Sequence, residues 1–280
     1  MPAHSQKTPS PGGKVAVVTG AASGIGFAVA EHCAEIGMAV ALADVEASAL
    51  SAAADRLGAA DHRIVPLAVD VRSQASMERF AATVEEQLGA VDVLCSCAGV
   101  AGALGMSWEL PLAMWTWVLD TNLMGTVHAI RSFVPAMVER DRGAVINVSS
   151  IGGLLPLPAS APYSVSKFGI VALTEALAEE LRMRGSKVSA SVACLGEVRT
   201  RIADDIRNWP EDLGEVPTAS DDSTLGELAR EISAAIDAGR DPREVAKEIV
   251  SQAVEGRFWI HTHLEEQRAA IVERTQAITS

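Results

Sequence analysis

Residues 15–26 have the sequence VAVVTGAASGIG, and this stretch decides the fold. Val15 to Thr19 is a short β-branched run that predicts a buried strand. Gly20 to Gly26 is a glycine-rich turn, and Ile25 to Ile36 has the apolar spacing of a helix, which Gly37 ends. Glycine lets the backbone approach a pyrophosphate closely, and the helix N-terminus offers free N–H groups to the anion. The strand–turn–helix order therefore predicts a dinucleotide-binding turn; the alternative is a turn that only packs tightly.

Short apolar strands alternate with helices along the rest of the chain. Because the strands are nearly continuous apolar runs, they predict a parallel sheet that is covered by helices on both faces. The expected fold class is α/β, a Rossmann-type doubly wound parallel sheet in one domain over residues 14–280, after a flexible tail at residues 1–13. Further strands are predicted at Met38 to Asp44, Arg63 to Asp70, Val91 to Ser96, Ala144 to Ser149, Val188 to Cys194 and Phe258 to His261. Further helices are predicted at Ser48 to Leu57, from the Ser73 cap to Leu88, at Asn122 to Glu139, at Tyr163 to Arg184 and after the Asp241 cap.

The composition excludes several classes of function. The chain has 280 residues, with 23 Lys and Arg against 36 Asp and Glu, and a formal net charge of −13. So acidic a chain is a poor binder of nucleic acid and of anionic membrane surfaces. It lacks both the roughly 20-residue apolar run of a membrane span and an N-terminal secretory signal, so we expect a cytoplasmic protein. The four cysteines (Cys33, Cys95, Cys97 and Cys194) indicate small buried thiols rather than disulfides or a metal site, with a redox or metal role for Cys95 and Cys97 as the alternative.

Asp44 ends the second predicted strand, eighteen residues after Gly26. A carboxylate at this point can accept hydrogen bonds from both ribose hydroxyls of an adenosine, and it repels a 2′-phosphate. No Arg or Lys stands in the glycine turn or in the three positions after Asp44. These features favour NAD over NADP; the alternative is that Asp44 only caps the following helix.

Tyr163 is the only tyrosine of the chain, and Lys167 follows it by four residues. Positions i and i+4 share a face of a helix, and an ammonium beside a phenol favours the phenolate. The pair is therefore suited to acid–base chemistry near neutral pH. Ser150 lies thirteen residues upstream, just past a predicted strand, so its hydroxyl is expected at the edge of the sheet where substrates bind.

Together these motifs resemble the short-chain dehydrogenase/reductase family, in its common single-domain type. The resemblance spans about residues 14–200 and rests on the Thr19–Gly26 turn, Asp70-Val71, Asn122, Ser150 and the Tyr163/Lys167 pair. It implies a nicotinamide dinucleotide cofactor that carries a hydride, while the protein supplies orientation and acid–base help.

The resemblance implies a role for each matching residue. Tyr163 is the implied general acid–base, Lys167 lowers its pKa and binds the nicotinamide ribose, and Ser150 holds the substrate oxygen. Asn122 is implied to anchor a water that links Lys167 to solvent. The expected cofactor-binding residues are Gly20, Ser23, Gly24, Ile25, Gly26, Asp44, Asp70, Val71, Ala98, Gly99, Tyr163, Lys167, Val198 and Thr200, with Asp70 and Val71 beside the adenine and Thr200 at the nicotinamide carboxamide.

Two short segments depart from the family pattern. The family usually has Asn-Asn-Ala-Gly after the fourth strand, where this chain has Ser-Cys-Ala-Gly at residues 96–99. We expect Ser96 to replace one lost hydrogen bond and Cys97 to replace packing only. The family usually has Pro-Gly after the sixth strand, where this chain has Leu195-Gly196. Because leucine does not fix φ as proline does, a more mobile nicotinamide-side loop is expected.

The segment Arg201 to Gly239 breaks the alternation of strands and helices and is a candidate substrate lid, or else a mobile surface excursion. Side chains expected to line the substrate pocket are Leu104, Met106, Leu157, Glu197 and Trp209. Because this set is mostly apolar, it predicts a hydrophobic secondary alcohol or its ketone as substrate. Glu197 is expected either to contact a polar or cationic substrate group or to be a solvated loop carboxylate.

These observations predict an NAD-dependent oxidoreductase that interconverts a hydrophobic secondary alcohol and its ketone. The alternatives are an NADPH-dependent ketone reductase, enoyl reduction or dehydration on the same scaffold, and a non-catalytic dinucleotide sensor. The resemblance also implies a homo-oligomer, with a tetramer favoured over a dimer, paired through the helices that begin near Asn122 and Tyr163.

Overall fold

The seven strands found among the described residues lie parallel in one sheet. The computed structural model describes residues 13–58, 63–216 and 223–280. The strands are β1 (Val15–Thr19), β2 (Ala39–Asp44), β3 (Ile64–Ala68), β4 (Val93–Ser96), β5 (Ala144–Ser150), β6 (Ser189–Leu195) and β7 (Trp259–His261). Their order across the sheet is β3-β2-β1-β4-β5-β6-β7. The direction of winding reverses between β1 and β4, which is where open α/β sheets form a ligand crevice at their carboxyl ends.

Helices cover both faces of this sheet. They are α1 (Gly24–Glu35), α2 (Ala47–Arg56), α3 (Gln74–Gln87), α4 (Leu112–Val118), α5 (Gly125–Glu139), α6 (Ala161–Met183), α7 (Ser223–Ala238), α8 (Pro242–Val254) and α9 (Leu264–Thr279). Apolar side chains of α1, α2 and α8 form the core on one face, and those of α3, α5 and α6 form the core on the other. None of the described helices is long and apolar enough to cross a membrane.

Strand β1 shows that both faces of the sheet are buried. Ala16 and Val18 belong to one core cluster, and Val15 and Val17 belong to the opposite one. Successive strand side chains point to opposite faces, so a strand that is buried on both needs an unbroken apolar run. The pattern that predicted a parallel sheet therefore reflects the two-sided burial that the structure shows.

The predicted elements are confirmed, with ends that shift by up to three residues. The caps at Ser73 and Asp241 are also confirmed, since their side-chain oxygens accept hydrogen bonds from the backbone N–H groups of Ser76 and Arg243. The helix predicted at Asn122 to Glu139 differs at its start: α5 is preceded by a π-helical turn at Leu119–Met124, which joins it to α4. Sequence reasoning missed α4, α7 and α9.

The candidate lid, residues 201–239, is partly regular. It contains 3-10 turns at Ile202–Asn208 and Glu211–Leu213, followed by α7, while residues 217–222 lie outside the described part of the chain. The predicted N-terminal tail also lies outside the described residues, apart from Gly13.

The Thr19 hydroxyl joins β1 to the loop that follows β4. Thr19 Oγ1 accepts hydrogen bonds from the backbone N–H groups of Cys97 and Ala98, both at 3.1 Å. Ser96, by contrast, does not replace the bond that was expected of it. Its buried Oγ and the Oδ1 of Asn147, its register neighbour on β5, have no hydrogen-bond partner among the described residues. A buried hydroxyl without a partner contributes little or costs stability.

This contrast predicts opposite results for two conservative substitutions. Thr19→Val keeps the shape of the side chain but leaves two backbone N–H groups without an acceptor, so we expect it to lower the free energy of unfolding by about 2 kcal/mol or more. Ser96→Ala removes a hydroxyl that has no partner, so a change of less than about 1 kcal/mol is expected. Denaturant unfolding followed by circular dichroism measures both. A loss in Ser96→Ala as large as that in Thr19→Val would show that the Ser96 hydroxyl is satisfied after all.

Candidate active site

A cleft of about 1010 Å³ opens at the carboxyl ends of the strands. Its walls come from the turn after β1, from the loops after β2 to β6 and from the candidate lid. Asn122 lies behind the cleft wall, fully buried, and Met106 is not among the lining residues. The predicted site residues that do line the cleft are Gly20, Ser23, Gly24, Ile25, Gly26, Asp44, Asp70, Val71, Ala98, Gly99, Leu104, Ser150, Leu157, Tyr163, Lys167, Glu197, Val198, Thr200 and Trp209.

The glycines of the first turn are required by close backbone contacts. Gly20 has a φ of +67°, and a Cβ there would lie 2.8 Å from the Cα of Ala98. A Cβ on Gly26 would lie 2.1 Å from the carbonyl oxygen of Gly20. Ser23 precedes α1 without a side-chain cap, so the first backbone N–H groups of α1 are not occupied by its hydroxyl. The turn is therefore tight, and its free amides border the cleft as an anion site requires.

Asp44 lies at the end of β2 on the wall of the cleft. Its Oδ2 accepts a hydrogen bond from the N–H of Ala22 and its Oδ1 accepts one from the N–H of Glu46, both at 3.0 Å. Burial raises the pKa of Asp44, and these two hydrogen bonds act in the opposite direction. The carboxylate thus fastens the turn after β1 to the end of β2, while its position in the cleft leaves it available to ribose hydroxyls.

Tyr163 stands in the first turn of α6, with its ring packed beside the apolar cluster of Val100, Met114 and Trp117. Burial raises the pKa of Tyr163, a hydrogen bond with the side chain of Ser150 lowers it, and the negative charge of Asp205 raises it. Ser150, at the end of β5, also accepts a hydrogen bond from the N–H of Gly152 at 3.1 Å, which fixes its side chain. Serine and tyrosine therefore meet at one point of the cleft, at the edge of the sheet where the Ser150 hydroxyl was expected.

Lys167 is buried, with 4% of its surface exposed, and its Nζ donates to the carbonyl oxygen of Val148 at 3.0 Å. The Nζ lies 5.6 Å from the centroid of the Tyr163 ring. Burial lowers the pKa of Lys167 to about 8, against the raising influence of Cys97 and Cys194. The sequence predicted that Lys167 would hold the pKa of Tyr163 down. In this structure burial is the largest influence on the pKa of Tyr163 and raises it, and the ammonium of Lys167 donates to the β5 carbonyl of Val148.

Asn122 holds the loop that follows β4. Its Oδ1 accepts from the N–H of Val100 at 2.8 Å, and its Nδ2 donates to the Val100 carbonyl at 2.9 Å and to Ser166 Oγ at 2.9 Å. Ser166 in turn donates to the carbonyl oxygen of Tyr163 at 2.7 Å. Asn122 belongs to the π-helical turn, a rare local geometry that is frequent at functional sites. The Asn122 amide therefore connects the β4 loop with the tyrosine helix. The water that Asn122 was predicted to anchor stays a prediction.

The candidate lid closes one side of the cleft with apolar side chains. The lining side chains of α7 are Leu228, Ile232, Ala235 and Ile236. Trp209 packs edge-to-face on Trp117, with ring centroids 5.2 Å apart. Sequence reasoning included Trp209 but missed α7, although its apolar residues recur at helical spacing.

Asp205 is a further buried lid residue that the sequence did not single out. Its Oδ2 accepts hydrogen bonds from the backbone N–H groups of Ala101 and Gly102, the latter at 2.8 Å. Burial raises the pKa of Asp205, and the two amides oppose that rise. This carboxylate connects the lid to the β4 loop. The two segments are about a hundred residues apart in the sequence, so no local pattern predicts the contact.

The nicotinamide-side loop after β6 is held from the end of β7. The N–H of Gly196 donates to Thr262 Oγ1 at 3.3 Å and to His263 Nδ1 at 3.2 Å. A Cβ on Gly196 would lie 2.4 Å from the His263 ring. Leu195, which replaces the usual proline, is the buried last residue of β6. Hydrogen bonds from a distant segment therefore restrain the loop that was expected to be mobile.

The residues present fit a dinucleotide. The tight turn leaves free amides at the start of α1, a carboxylate ends β2, and the side chains of Ser150, Tyr163 and Lys167 line the same cleft. Thr200 lies against the glycine turn, since a Cβ on Gly24 would be 3.2 Å from Thr200 Cγ2. The cleft thus runs continuously from the glycine turn to Tyr163.

Comparisons with known proteins agree with this geometry. A family model described as short chain dehydrogenase matches residues 14–211, more than half of the chain. A short chain dehydrogenase/reductase of Burkholderia phymatum, solved in complex with NAD, superimposes with a TM-score of 0.90 at 36% identity over 95% of this chain and 94% of that one. A single-residue variant of the actinorhodin polyketide ketoreductase, solved with NADPH, superimposes with a TM-score of 0.73 at 31% identity over 89% and 95% of the two chains. The 1-deoxy-11-beta-hydroxypentalenate dehydrogenase of Streptomyces exfoliatus is 39% identical over 67% of this chain and 68% of its own length.

The acceptor at position 263 gives a test of how the nicotinamide-side loop is held. Asparagine can place its Oδ1 close to where histidine has Nδ1, whereas the longer glutamine cannot. We expect His263→Gln to weaken NADH binding by about threefold to tenfold, the value of one hydrogen bond, and His263→Asn to bind nearly as the wild type does. NADH fluorescence titration measures the Kd. Equal affinities in the two variants would show that the Gly196 contact does not set the loop.

Proposed function

The chain belongs to the short-chain dehydrogenase/reductase family of NAD(P)-dependent oxidoreductases, and on that premise we propose that it interconverts a hydrophobic secondary alcohol and its ketone with NAD as cofactor. The observation that carries the proposal is the meeting of the Tyr163 and Ser150 side chains in a cleft with apolar walls. A phenol and a serine hydroxyl at one point can hold a substrate oxygen and exchange its proton.

In the oxidation direction the substrate hydroxyl lies between Ser150 and Tyr163. Ser150 donates to the substrate oxygen and orients it, and the ionised Tyr163 accepts the hydroxyl proton. The O–H electron pair then forms the carbonyl π bond as the carbinol C–H bond breaks. When bound, the nicotinamide supplies the acceptor for that hydride. In the reverse direction Tyr163 returns the proton to the carbonyl oxygen.

Lys167 supplies a buried cation beside this acid–base group. With its pKa lowered to about 8, Lys167 keeps its proton for most of the time at neutral pH. Its charge favours the ionised form of Tyr163 even though burial dominates. We also assign Lys167 the nicotinamide ribose as ligand, because its ammonium lies on the cleft wall between Val148 and Tyr163.

The substrate class is inferred from the walls of the cleft. Apolar side chains of the lid, on α7 and at Trp209, line the same cleft as Tyr163, and so do Leu104 and Leu157. Such walls favour a bulky apolar secondary alcohol over a sugar or a small polar acid. The names of the relatives above, a polyketide ketoreductase and a pentalenate dehydrogenase, support the same class of substrate.

The choice of NAD over NADP rests on the groups around the end of β2. Asp44 and Glu46 both line the cleft there, and two carboxylates repel a 2′-phosphate. Arg207 of the lid also lines the cleft, but its guanidinium is paired with Glu46. The NAD complex of the Burkholderia phymatum protein supports this choice, while the NADPH complex of the ketoreductase is the reason to test it.

The homotetramer, with pairing through α5 and α6, and the cytoplasmic location stay predictions. Met124 and Val165 support the pairing, since these apolar side chains stay 38% and 49% exposed at the beginning of the two helices.

The function is tested by NADH formation from NAD across a panel of hydrophobic secondary alcohols. We expect turnover with bulky apolar members and, in Tyr163→Phe, a loss of at least about a hundredfold, because the variant has no group to take the proton. Detection of the ketone separates this reaction from enoyl reduction and dehydration. Unchanged turnover in Tyr163→Phe would refute the mechanism, whereas tight NADH binding without any turnover would favour the dinucleotide sensor.

The pH dependence of the same assay is a control. Oxidation needs ionised Tyr163, and burial raises the pKa of that group, so log(kcat/KM) should still rise with pH above neutrality. Ser150→Ala removes the hydrogen bond that lowers the pKa of Tyr163. The rise should therefore move to higher pH in this variant, in addition to any loss of rate. A bell centred below neutral pH would contradict the assignment.

The cofactor assignment is tested at Asp44. Wild type should have a higher kcat/KM with NAD than with NADP, and Asp44→Ala should reduce that ratio about tenfold or more, because the carboxylate that repels the 2′-phosphate is gone. Thermal unfolding of the variant controls for the lost bonds to Ala22 and Glu46. A wild-type preference for NADP would overturn the role assigned to Asp44.

A further inference from the structure

The lid reaches beyond the substrate end of the cleft. Residues 207–212, which we call the adenosine-side strap, line the cleft together with the residues that follow β2 and β3. These are the strand ends where Asp44 and Asp70 lie, and the proposed function places the adenosine there. Two separate ionic anchors fasten the strap at this end.

The first anchor joins Arg207 and Asn208 of the strap to Glu46. Arg207 donates to Glu46 Oε1 from Nη2 at 2.8 Å and from Nε at 3.2 Å, and Asn208 Nδ2 donates to the same oxygen at 2.9 Å. Burial would raise the pKa of Glu46, but the hydrogen bonds of Asn208 and Arg207 outweigh it and lower the pKa. Glu46 lies two residues past Asp44, so the anchor stands at the ribose end of the proposed adenosine site.

The second anchor joins Asp212 of the strap to Arg72. The Arg72 guanidinium donates to Asp212 at 2.9 and 3.2 Å and to Asp70 at 2.8 Å, and it is 19% exposed. Asp70 and the adjacent Val71 line the cleft beside the expected adenine. The Arg72 guanidinium thus connects Asp70, at the proposed adenosine site, with Asp212 of the strap.

Between the anchors, Pro210 and Glu211 line the cleft, and Trp209 packs against Trp117 on the substrate side. The strap is therefore fixed at three points: by an apolar contact near the substrate site and by ion pairs at the ends of β2 and β3. Partly exposed ion pairs of this kind are individually weak and are screened by salt, so the anchors can open and close readily.

We propose that the adenosine-side strap retains the dinucleotide, so that the cofactor leaves only after the Arg207–Glu46 and Arg72–Asp212 anchors open, and that Glu46 and Asp212 thereby set the rate of cofactor release. This inference rests on the proposed dinucleotide site. It adds to the lid a function that is separate from covering the substrate: control of how long the cofactor stays bound.

The test is stopped-flow release of NADH from the full-length protein, with excess NAD as competitor. The variants are Glu46→Gln, Asp212→Asn and the two combined. We expect release to accelerate about threefold in each single variant and about tenfold in the double variant, since two weak anchors act together. Higher salt should accelerate release from the wild type and have little effect on the double variant.

Glu31→Gln is the matched control. It breaks the Arg243–Glu31 ion pair, which also joins distant segments, through one hydrogen bond at 2.9 Å and a second charged contact at 2.7 Å, but connects α8 with α1 and does not line the cleft. Its release rate should stay within about twofold of the wild type, the scale expected of a remote surface pair. Equal acceleration in this control would assign the effect to general loosening and overturn the proposal.

A second set of variants separates retention from direct contact of Glu46 with the cofactor. Arg207→Gln breaks the first anchor from the side of the strap. If the anchor is what retains NADH, Arg207→Gln and Glu46→Gln should each accelerate release, and their combination should release NADH no faster than the faster of the two single variants, because both remove the same ion pair. Additive effects, or unchanged release in the Glu46/Asp212 double variant, would overturn the strap while NADH binding stands. A wild type that binds no NADH would overturn the dinucleotide site itself, and the strap with it.

Discussion

One connected set of hydrogen bonds joins the glycine turn to the tyrosine helix, and the site depends on it. The Thr19 hydroxyl holds the amides after β4, Asn122 holds Val100 three residues later, and Asn122 continues through Ser166 to the carbonyl of Tyr163. Every donor and acceptor in it is buried or partly buried, where an unmade bond is costly. The glycine turn and the tyrosine helix are therefore coupled, because a shift of either breaks bonds in between. Asn122 has this structural role whether or not it also anchors a water.

Burial sets the electrostatics of the acid–base pair in the free protein. It disfavours both charged forms, so the pKa of Lys167 falls to about 8 while that of Tyr163 rises. The β5 carbonyl and the Ser150 hydroxyl are the polar partners that keep these two groups in place. The spacing of four residues along a helix indicated only the proximity of phenol and ammonium. Whether the pKa of the phenol is raised or lowered depends on how deeply the phenol is buried and on the more distant Asp205. The spacing of two residues along a helix carries no information about either.

The sequence was sufficient wherever function depends on local chemistry. The glycine turn, Asp44, Ser150 and the Tyr163/Lys167 pair each follow from residue type at a strand end or from helical spacing, and the structure brings them into one cleft. What sequence reasoning missed depends on contacts between distant segments. Asp205 meets the β4 loop, and His263 meets Gly196, only because the sheet order places those loops side by side. The hydrogen bond predicted for Ser96 is absent among the described residues, because a polar residue at a suitable position forms a bond only if a partner faces it.

The net charge of −13 adds a constraint on how this protein can hold an anionic cofactor. The overall charge does not attract such a ligand at long range, and the guanidinium groups that line the cleft, Arg72, Arg201 and Arg207, are already paired with carboxylates. Affinity must then come from short-range groups: the free amides at the start of α1, the carboxylate at the end of β2 and the exclusion of water. Such contacts are effective only when the cleft is closed around its ligand. A covering segment at the adenosine end is one way to exclude water there, and this is the role proposed for the strap, whose ion pairs hold it in place without adding a net positive charge.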